Sequence, residues 1–298
     1  MNRKNNQPIV SYVIPTLNRP ESIVELSYQL LGQNYPNYEI VVVDQSAVTN
    51  RAMWRMTDQY KKKLRYYTLK KTGTTGARNV GIAKSRGEII IFLDDDCRVD
   101  GDDFTTQHVS NYTDSKIGGV GGRIVDENVK LNRQQSGKVC WVTKTGKIYA
   151  NASATERVNI NAPRGGNMSF RRSVIRVAGG FDERFSGNAM REETDFSLRV
   201  VKKGYFITFD PQAEAVHLGL PFGGSRDETK QEWYYHFFHN EMLFFLKHFP
   251  KIYLPILLIR KIRPALACTF YYGKGRPMAW LTPARGFIQG IKSYLKKA

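Results

Sequence analysis

Three consecutive aspartates, Asp94-Asp95-Asp96, directly follow the apolar run Glu88-Ile-Ile-Ile-Phe-Leu93. On an extended stretch, side chains at i and i+2 point the same way, so Asp94 and Asp96 can share one ion. Carboxylates are hard oxygen ligands, suited to Mg²⁺ or Mn²⁺ with water or phosphate completing the shell. Two other strand-like runs end in comparable groups. Residues 10–14 lead into Pro15-Thr16, and Glu39-Ile-Val-Val-Val43 leads into Asp44. The chain has a formal net charge of +18. Acids gathered in one crevice of so basic a protein argue for a cation held between them. An ordinary acidic turn after a strand is the plainer alternative, and Asp-x-Asp alone does not decide between the two.

The elements that would position these groups alternate along the chain. After the first run, Pro20-Glu21 opens a helix with Ile23, Leu26, Leu30 and Leu31 on one face. Residues 39–43 and 88–93 are apolar almost throughout, as in strands buried on both faces. Residues 64–69 form a further strand, and 77–85 a helix stopped by Gly87. Strands and helices in such short succession predict an α/β fold with a parallel, doubly wound sheet. Ligands of these sheets bind beyond the carboxyl ends of the strands. No G-x-G-x-x-G and no G-x-x-x-x-G-K-[ST] is present, which argues against a dinucleotide enzyme and a P-loop NTPase. Phosphate would then be held by metal, by arginine, or by backbone near Pro15 and residues 73–76. The polar, poorly periodic stretch 126–160 is expected to be a mobile loop near an acceptor.

With 298 residues, 41% hydrophobic and 24% charged, the chain has ordinary globular composition, and wholesale disorder is excluded. Cys97, Cys140 and Cys268 are too few and too scattered for a disulfide framework or a zinc ribbon, and fit a reducing compartment. From Lys247 onward there are 11 Lys/Arg and no Asp or Glu, which leaves +7 for residues 1–246. Aromatic residues interleave with these cations. The last segment places Phe287, Ile288, Ile291, Tyr294 and Leu295 at helical spacing, with Lys292, Lys296 and Lys297 off that stripe. This pattern suits an anionic membrane surface, the plainer alternative being a helix packed on the domain with a solvated basic face. No nucleic-acid module accompanies the basic residues, so no nucleic-acid partner is expected. The apolar run 252–259 is too short for a span, which takes about 20 residues, and the first eight residues do not read as a secretory signal. The expected location is cytoplasmic, peripheral at the inner face of the cell membrane.

Several segments together resemble the family 2 inverting glycosyltransferases. They are Val-Ile-Pro-Thr-Leu-Asn-Arg (13–19), Ile-Val-Val-Val-Asp (40–44), Gly-Ala-Arg-Asn-Val-Gly (76–81) and Phe-Leu-Asp-Asp-Asp (92–96). Gly-Gly-Asn-Met-Ser-Phe-Arg-Arg (165–172), Gly-Gly-Phe-Asp-Glu (179–183), Arg-Glu-Glu-Thr-Asp-Phe-Ser-Leu-Arg (191–199) and His217 follow in the family's order. The resemblance covers about residues 9–220. It implies a GT-A fold, with a Rossmann-like, mostly parallel central sheet flanked by helices and here a C-terminal helical extension. Residues 1–225 would be the glycosyltransferase domain, about 8–115 its nucleotide-sugar half and about 116–225 its acceptor and catalytic half. Residues 226–298 would be a basic, aromatic helical region.

The resemblance also implies roles. Pro15, Thr16, Arg19, Asp44, Gly76, Arg78, Asp94 and Asp95 would bind the donor nucleotide. Asp44 would meet the base, and a carboxylate accepting from a ring N–H favours UDP- or dTDP-sugars. Asp96, Asp94 and His217 would hold Mn²⁺ or Mg²⁺. Gly165, Gly166, Asn167 and Glu192 would face the sugar or acceptor. The family's base is usually the Asp of a Glu-Asp pair opening a helix. Here the pair is Glu192-Glu193, so Glu193 stands at the base position, with Glu192 and Asp195 as alternatives. Asp195 is also placed for an i,i+4 ion pair with Arg199. The acceptor implied is a glycan or lipid-linked saccharide, an envelope precursor. Competing functions are a non-catalytic basic protein bound to membrane surfaces and a sugar nucleotidyltransferase. The first leaves the acids at three strand ends unexplained, and the second needs a glycine-rich triphosphate loop.

Overall fold

The computed structural model describes residues 7–127, 138–272 and 279–296. The chain order is β1 (Val10–Thr16), α1 (Pro20–Leu31), β2 (Tyr38–Asp44), α2 (Arg51–Gln59), β3 (Leu64–Thr68), α3 (Thr74–Lys84) and β4 (Ile89–Leu93). Then come β5 (Cys97–Arg98), α4 (Phe104–Ser110), β6 (Ile117–Asp126), β7 (Trp141–Val142), β8 (Ile148–Tyr149), β9 (Val158–Ile160), β10 (Asn167–Arg171), α5 (Arg172–Ala178), α6 (Glu192–Lys202) and β11 (Phe206–His217). Three longer helices close the chain: α7 (Lys230–His248), α8 (Leu254–Leu266) and α9 (Thr282–Leu295).

The main sheet runs β3-β2-β1-β4-β10-β6-β11-β5, with β9 paired to β11. Strands β1, β2, β3, β4, β6 and β11 point one way, and β5, β9 and β10 the other. This is the mostly parallel, helix-flanked sheet that the resemblance implied. Every residue of β1, β2 and β4 is buried, which explains their nearly unbroken apolar runs. Alternate side chains feed two cores. Tyr12, Ile14, Ile91 and Leu93 pack under α1, α2 and α4, whereas Ile90, Phe92 and Phe170 pack under α5 and α6. Helix α2 was not among the elements read from the sequence. It forms because Asn50 caps it, accepting from the amides of Ala52 and Met53, and because Met53 and Met56 reach the first core.

Strand order reverses at β1, with β2 on one side and β4 on the other. The crevice at that switch point opens beyond Thr16 and Asp94. Antiparallel β10 then brings Asn167 opposite Leu93, so both halves of the chain share one sheet. Behind it lies His108, fully buried, with ring nitrogens 3.0 Å from Ser169 Oγ and 2.9 Å from Asn167 Oδ1. Burial pushes this imidazole down to about 4. A folded-state value below the unfolded 6.5 gives stability that is complete above pH 6.5 and lost as pH falls toward 4. The full loss from this group is about 3 kcal/mol. Urea denaturation at pH 7 and pH 5 is expected to show about 2 kcal/mol of it, and His108→Gln to flatten that slope.

The stretch 126–160 departs from the expected acceptor-side loop. Residues 128–137 lie outside the described residues. Beyond them β7 and β8 pair as a hairpin, with Cys140, Val142 and Ala152 buried. Asn161 pins it, accepting from the Val142 amide at 2.6 Å and donating to the Val142 carbonyl at 3.0 Å. Arg260 of α8 donates to Thr145 O at 2.8 Å. The hairpin therefore packs toward the C-terminal helices. The Gly179-Gly180-Phe181 turn likewise serves the core, with Phe181 packed on Phe92 and Phe196.

Helix α7 is the axle of the C-terminal region. A Thr229/Glu232 capping box starts it, and residues 237–245 are buried all round. Helices α8 and α9 pack on it, with Phe287 against Phe238 in the seam. The backbones of α7 and α9 approach very closely. A Cβ at Gly286 or Gly290 would stand 2.6 Å from the carbonyl oxygens of Tyr235 or His239.

Candidate active site

The strand ends at the switch point line a cleft of about 640 Å³. Pro15, Thr16 and Arg19 come from the end of β1, and Asp94, Asp95 and Asp96 from the end of β4. Gly165 and Gly166 precede β10, Glu192 and Glu193 open α6, and His217 ends β11. Arg78 reaches in from α3. All but four of the residues singled out in the sequence thus share one cavity.

The aspartates are not equivalent. Asp95 turns inward: Thr16 Oγ1 donates to it at 2.6 Å and Arg19 Nη1 at 2.6 Å. Burial still pushes its carboxyl up to about 6. Asp96 Oδ2 lies 3.0 Å from Arg19 Nη1 and 3.5 Å from His217 Nε2. Burial alone would raise the Asp96 carboxyl, but His217 and Arg19 outweigh it and hold it below the usual range. The bond to Asp96 in turn raises His217, whose Nδ1 is fixed 2.7 Å from Asp126 Oδ1. Asp94 accepts from Arg78 Nη2 at 3.0 Å.

Fully buried Arg78 ties the donor side to α6. It bonds Glu192 through Nη1, and Asp94 and the Gly165 carbonyl through Nη2. Its Nε and Glu192 Oε2 have no hydrogen-bond partner among the described residues. The two glycines make room for this bridge. A Cβ at Gly165 would stand 2.9 Å from Arg78 Nη2, and one at Gly166 2.9 Å from Asp94 Oδ2.

Glu193 faces the cleft, and no ion pair reaches it among the described residues. Burial pushes its carboxyl up, and the charge of Asp94 adds to the rise. Its neighbour Arg191 starts α6 in a left-handed conformation, φ 81. That residue pairs with buried Glu241 of α7 at 2.6 Å, and Glu241 pairs with Lys261 of α8 at 2.9 Å.

The remaining four positions stand back from the cavity. Asp195 is fully buried and held by Arg199 at 2.9 Å, Lys247 at 2.6 Å and His248 at 2.7 Å. So engaged, it is a structural anchor for α6, which removes it as an alternative base. Asp195→Ala should cost about 3 to 5 kcal/mol in urea denaturation, because it strands buried cations. Asn167 is also consumed by the fold: it donates to the carbonyls of Arg123 at 3.0 Å and Ala213 at 2.8 Å and binds His108. That saturation corrects its assignment to the sugar. Asp44 accepts from Tyr66 Oη at 2.5 Å and the Ser46 amide at 2.8 Å, and Gln45 presents the wall beside it. Gly76 lies in the first turn of α3, with Gly73 and Thr74 at the wall.

Sequence reading missed the rest of the lining. Arg164, residues 187–190, residues 224–228, Glu232 and His236 all contribute. Their signal was weak, being only a Gly-Asn pair at 187–188 and a Gly-Gly pair at 223–224.

Asp96 Oδ2 and His217 Nε2 are separated as two donors to one ion can be. No group of three or more His, Cys, Asp or Glu side chains that could hold a metal occurs among the described residues. Asp94, drawn to Arg78, does not complete a triad. A divalent ion here would take the rest of its shell from phosphate and water, which is the habit of Mg²⁺ at diphosphate sites.

Residues 11–178 match the family described as Glycosyl transferase family 2. Glycosyltransferase AglE of Haloferax volcanii is 26% identical over 221 residues, covering 72% of this chain and 69% of that protein. Seven other curated relatives match over only 13% to 41% of their own length. Among solved structures, the mannosyltransferase PcManGT from Pyrobaculum calidifontis, in complex with GDP-Man and Mn²⁺, superposes with a TM-score of 0.60 at 21% identity, over 97% of this chain and 76% of that one. S. aureus TarS 1–349 in complex with UDP-GlcNAc superposes with a TM-score of 0.64 at 15% identity, over 96% and 81%. At these identities the structural likeness is one of fold.

Proposed function

Because the chain belongs to glycosyl transferase family 2 and is a glycosyltransferase, we propose that it moves a sugar, with inversion, from a nucleoside-diphosphate donor to a hydroxyl acceptor. One observation carries this reading: Glu193, without an ion pair among the described residues, shares a cleft with the Asp94–Asp96 strand end, and Arg78 ties the two walls together. A general base must be unpaired, within reach of the acceptor hydroxyl, and basic enough to take its proton. Glu193 is the cleft-facing acid of α6 left for that role, since Glu192 is held by Arg78 and Asp195 by Arg199, Lys247 and His248. Inversion requires that base on the face opposite the leaving diphosphate. Arg78 fixes Glu192, and with it the first turn of α6, relative to Asp94.

Asp96 and His217 are the residues that would hold a divalent ion, Mn²⁺ or Mg²⁺. When bound, such an ion offsets the charge of a departing diphosphate. Arg19 and Thr16 lock Asp95 inward, which leaves Asp96 toward the cleft beside His217. PcManGT carries Mn²⁺ with GDP-Man, and TarS binds UDP-GlcNAc, so the likeness in fold supports a nucleotide-sugar donor without selecting the base. The acceptor we propose is a lipid-linked saccharide or other envelope glycan precursor.

The test is thermal melting with UDP, dTDP, GDP and CDP, each with and without Mn²⁺. A ligand at 100 times its dissociation constant adds about 2.7 kcal/mol. One diphosphate should raise the melting temperature in a Mn²⁺-dependent way and so direct the sugar screen. Absence of a shift with all four would overturn the donor assignment.

A further inference from the structure

We infer that α8 and α9 form a docking face for an anionic lipid surface, with both helices lying in its plane. Packing in α9 is the reverse of a soluble amphipathic helix. Its buried side is Gly286, Gly290 and Ser293, pressed against α7, while Ile288, Ile291 and Leu295 point outward. In α8, Leu257 is buried and Lys261 is turned in to Glu241, while Leu258, Ile259, Ile262 and Leu266 are exposed. The exposed residues recur at i, i+3 and i+4, so each helix carries an apolar stripe. Ile252, Ile259, Phe270, Trp280 and Leu295 each leave between 65% and 80% of their surface in solvent. Scattered exposed apolar residues are ordinary, but two helices packed on α7, each with an outward stripe, call for an occupant.

Charge identifies that occupant. Lys251, Arg263, Arg285 and Lys292 are exposed around the stripes, and no Asp or Glu follows Glu241. Apolar stripes bordered by cations on helices too short to span are the pattern of in-plane interfacial helices. No helix among the described residues is long and apolar enough to cross a membrane. Basic clusters of this kind select anionic leaflets, as on the cytoplasmic face of a cell membrane. The face is one helix away from the cleft: α7 packs α9 along its length and lines the cavity with Glu232 and His236. Its use to present the cleft to lipid-linked acceptors rests on the transfer reading above. The docking itself does not.

The test is co-sedimentation of the full chain with vesicles of phosphatidylglycerol and phosphatidylcholine, against vesicles of phosphatidylcholine alone. Binding is expected to the anionic vesicles and to weaken with salt. Ile259→Glu/Ile262→Glu and Lys251→Glu/Arg263→Glu should each weaken it roughly tenfold or more. These positions are exposed, so the nucleotide-dependent melting shift of both variants should match the parent, which separates a failed docking face from a failed donor site. Equal binding to neutral vesicles would overturn the proposal, as would variants that bind like the parent. A parent that is dimeric by sedimentation and does not bind vesicles, with monomeric variants, would instead make this face a contact between two copies.

Discussion

Asp96→Ala is expected to lower the transfer rate roughly 10³-fold, the scale of several kcal/mol of lost charge stabilisation. Asp96 is the acid of the triplet that meets His217. Without it, the Mn²⁺-dependent part of the nucleotide melting shift should vanish as well. Asp100→Ala is the matched control, since that exposed acid lies outside the cleft and pairs with its near neighbour Arg98. Initial rates with the best donor from the melting panel measure both. Full activity in Asp96→Ala would remove the metal assignment.

The second large effect is at Glu193. Replacing a general base by its amide costs about 10²- to 10⁴-fold in kcat. Glu193→Gln should show that loss with an unchanged nucleotide melting shift, because the side chain takes no part in the ion pairs that hold the site. The pH profile provides a separate sign. The base works deprotonated, so the parent's kcat/KM should climb with pH through the Glu193 value. Burial has raised that value, so the climb should lie above the ordinary carboxylate range. In Glu193→Gln this limb should disappear. Glu193→Asp, which restores the family's usual acid with a shorter reach, should recover part of the rate. If Glu193→Gln keeps the parent's rate and profile, the base lies elsewhere.

How much of this was legible in the sequence follows from which contacts are local. β1, β2 and β4 could be read because strands buried on both faces are written as continuous apolar runs. Asp94–Asp96 and Glu192-Glu193 could be read because each belongs to one short motif at an element end. Asp44 and Asn167 look like site residues in the same way, yet Tyr66, His108 and Ala213 take up their polar atoms from distant parts of the chain. Arg19 shows the converse. Its contact with Asp95 and Asp96 is fixed partly by the carbonyl of Phe222, which no local pattern reveals. The C-terminal stripe was visible as a period, but a period does not say which face is buried. That was decided by Gly286 and Gly290, whose missing side chains let α7 approach from the polar side.

Arg191 sets an order of events. A residue with a Cβ held at φ 81 costs roughly 1 kcal/mol or more in backbone energy. What retains it is Glu241, and behind that Lys261, both far downstream. Chains emerge from the ribosome N-terminus first. A nascent chain can therefore complete the sheet through β11, with the Arg78–Glu192 pair already made, before α7 and α8 arrive to secure Arg191 at the start of α6. The last helices thus finish a cleft whose other walls are already standing.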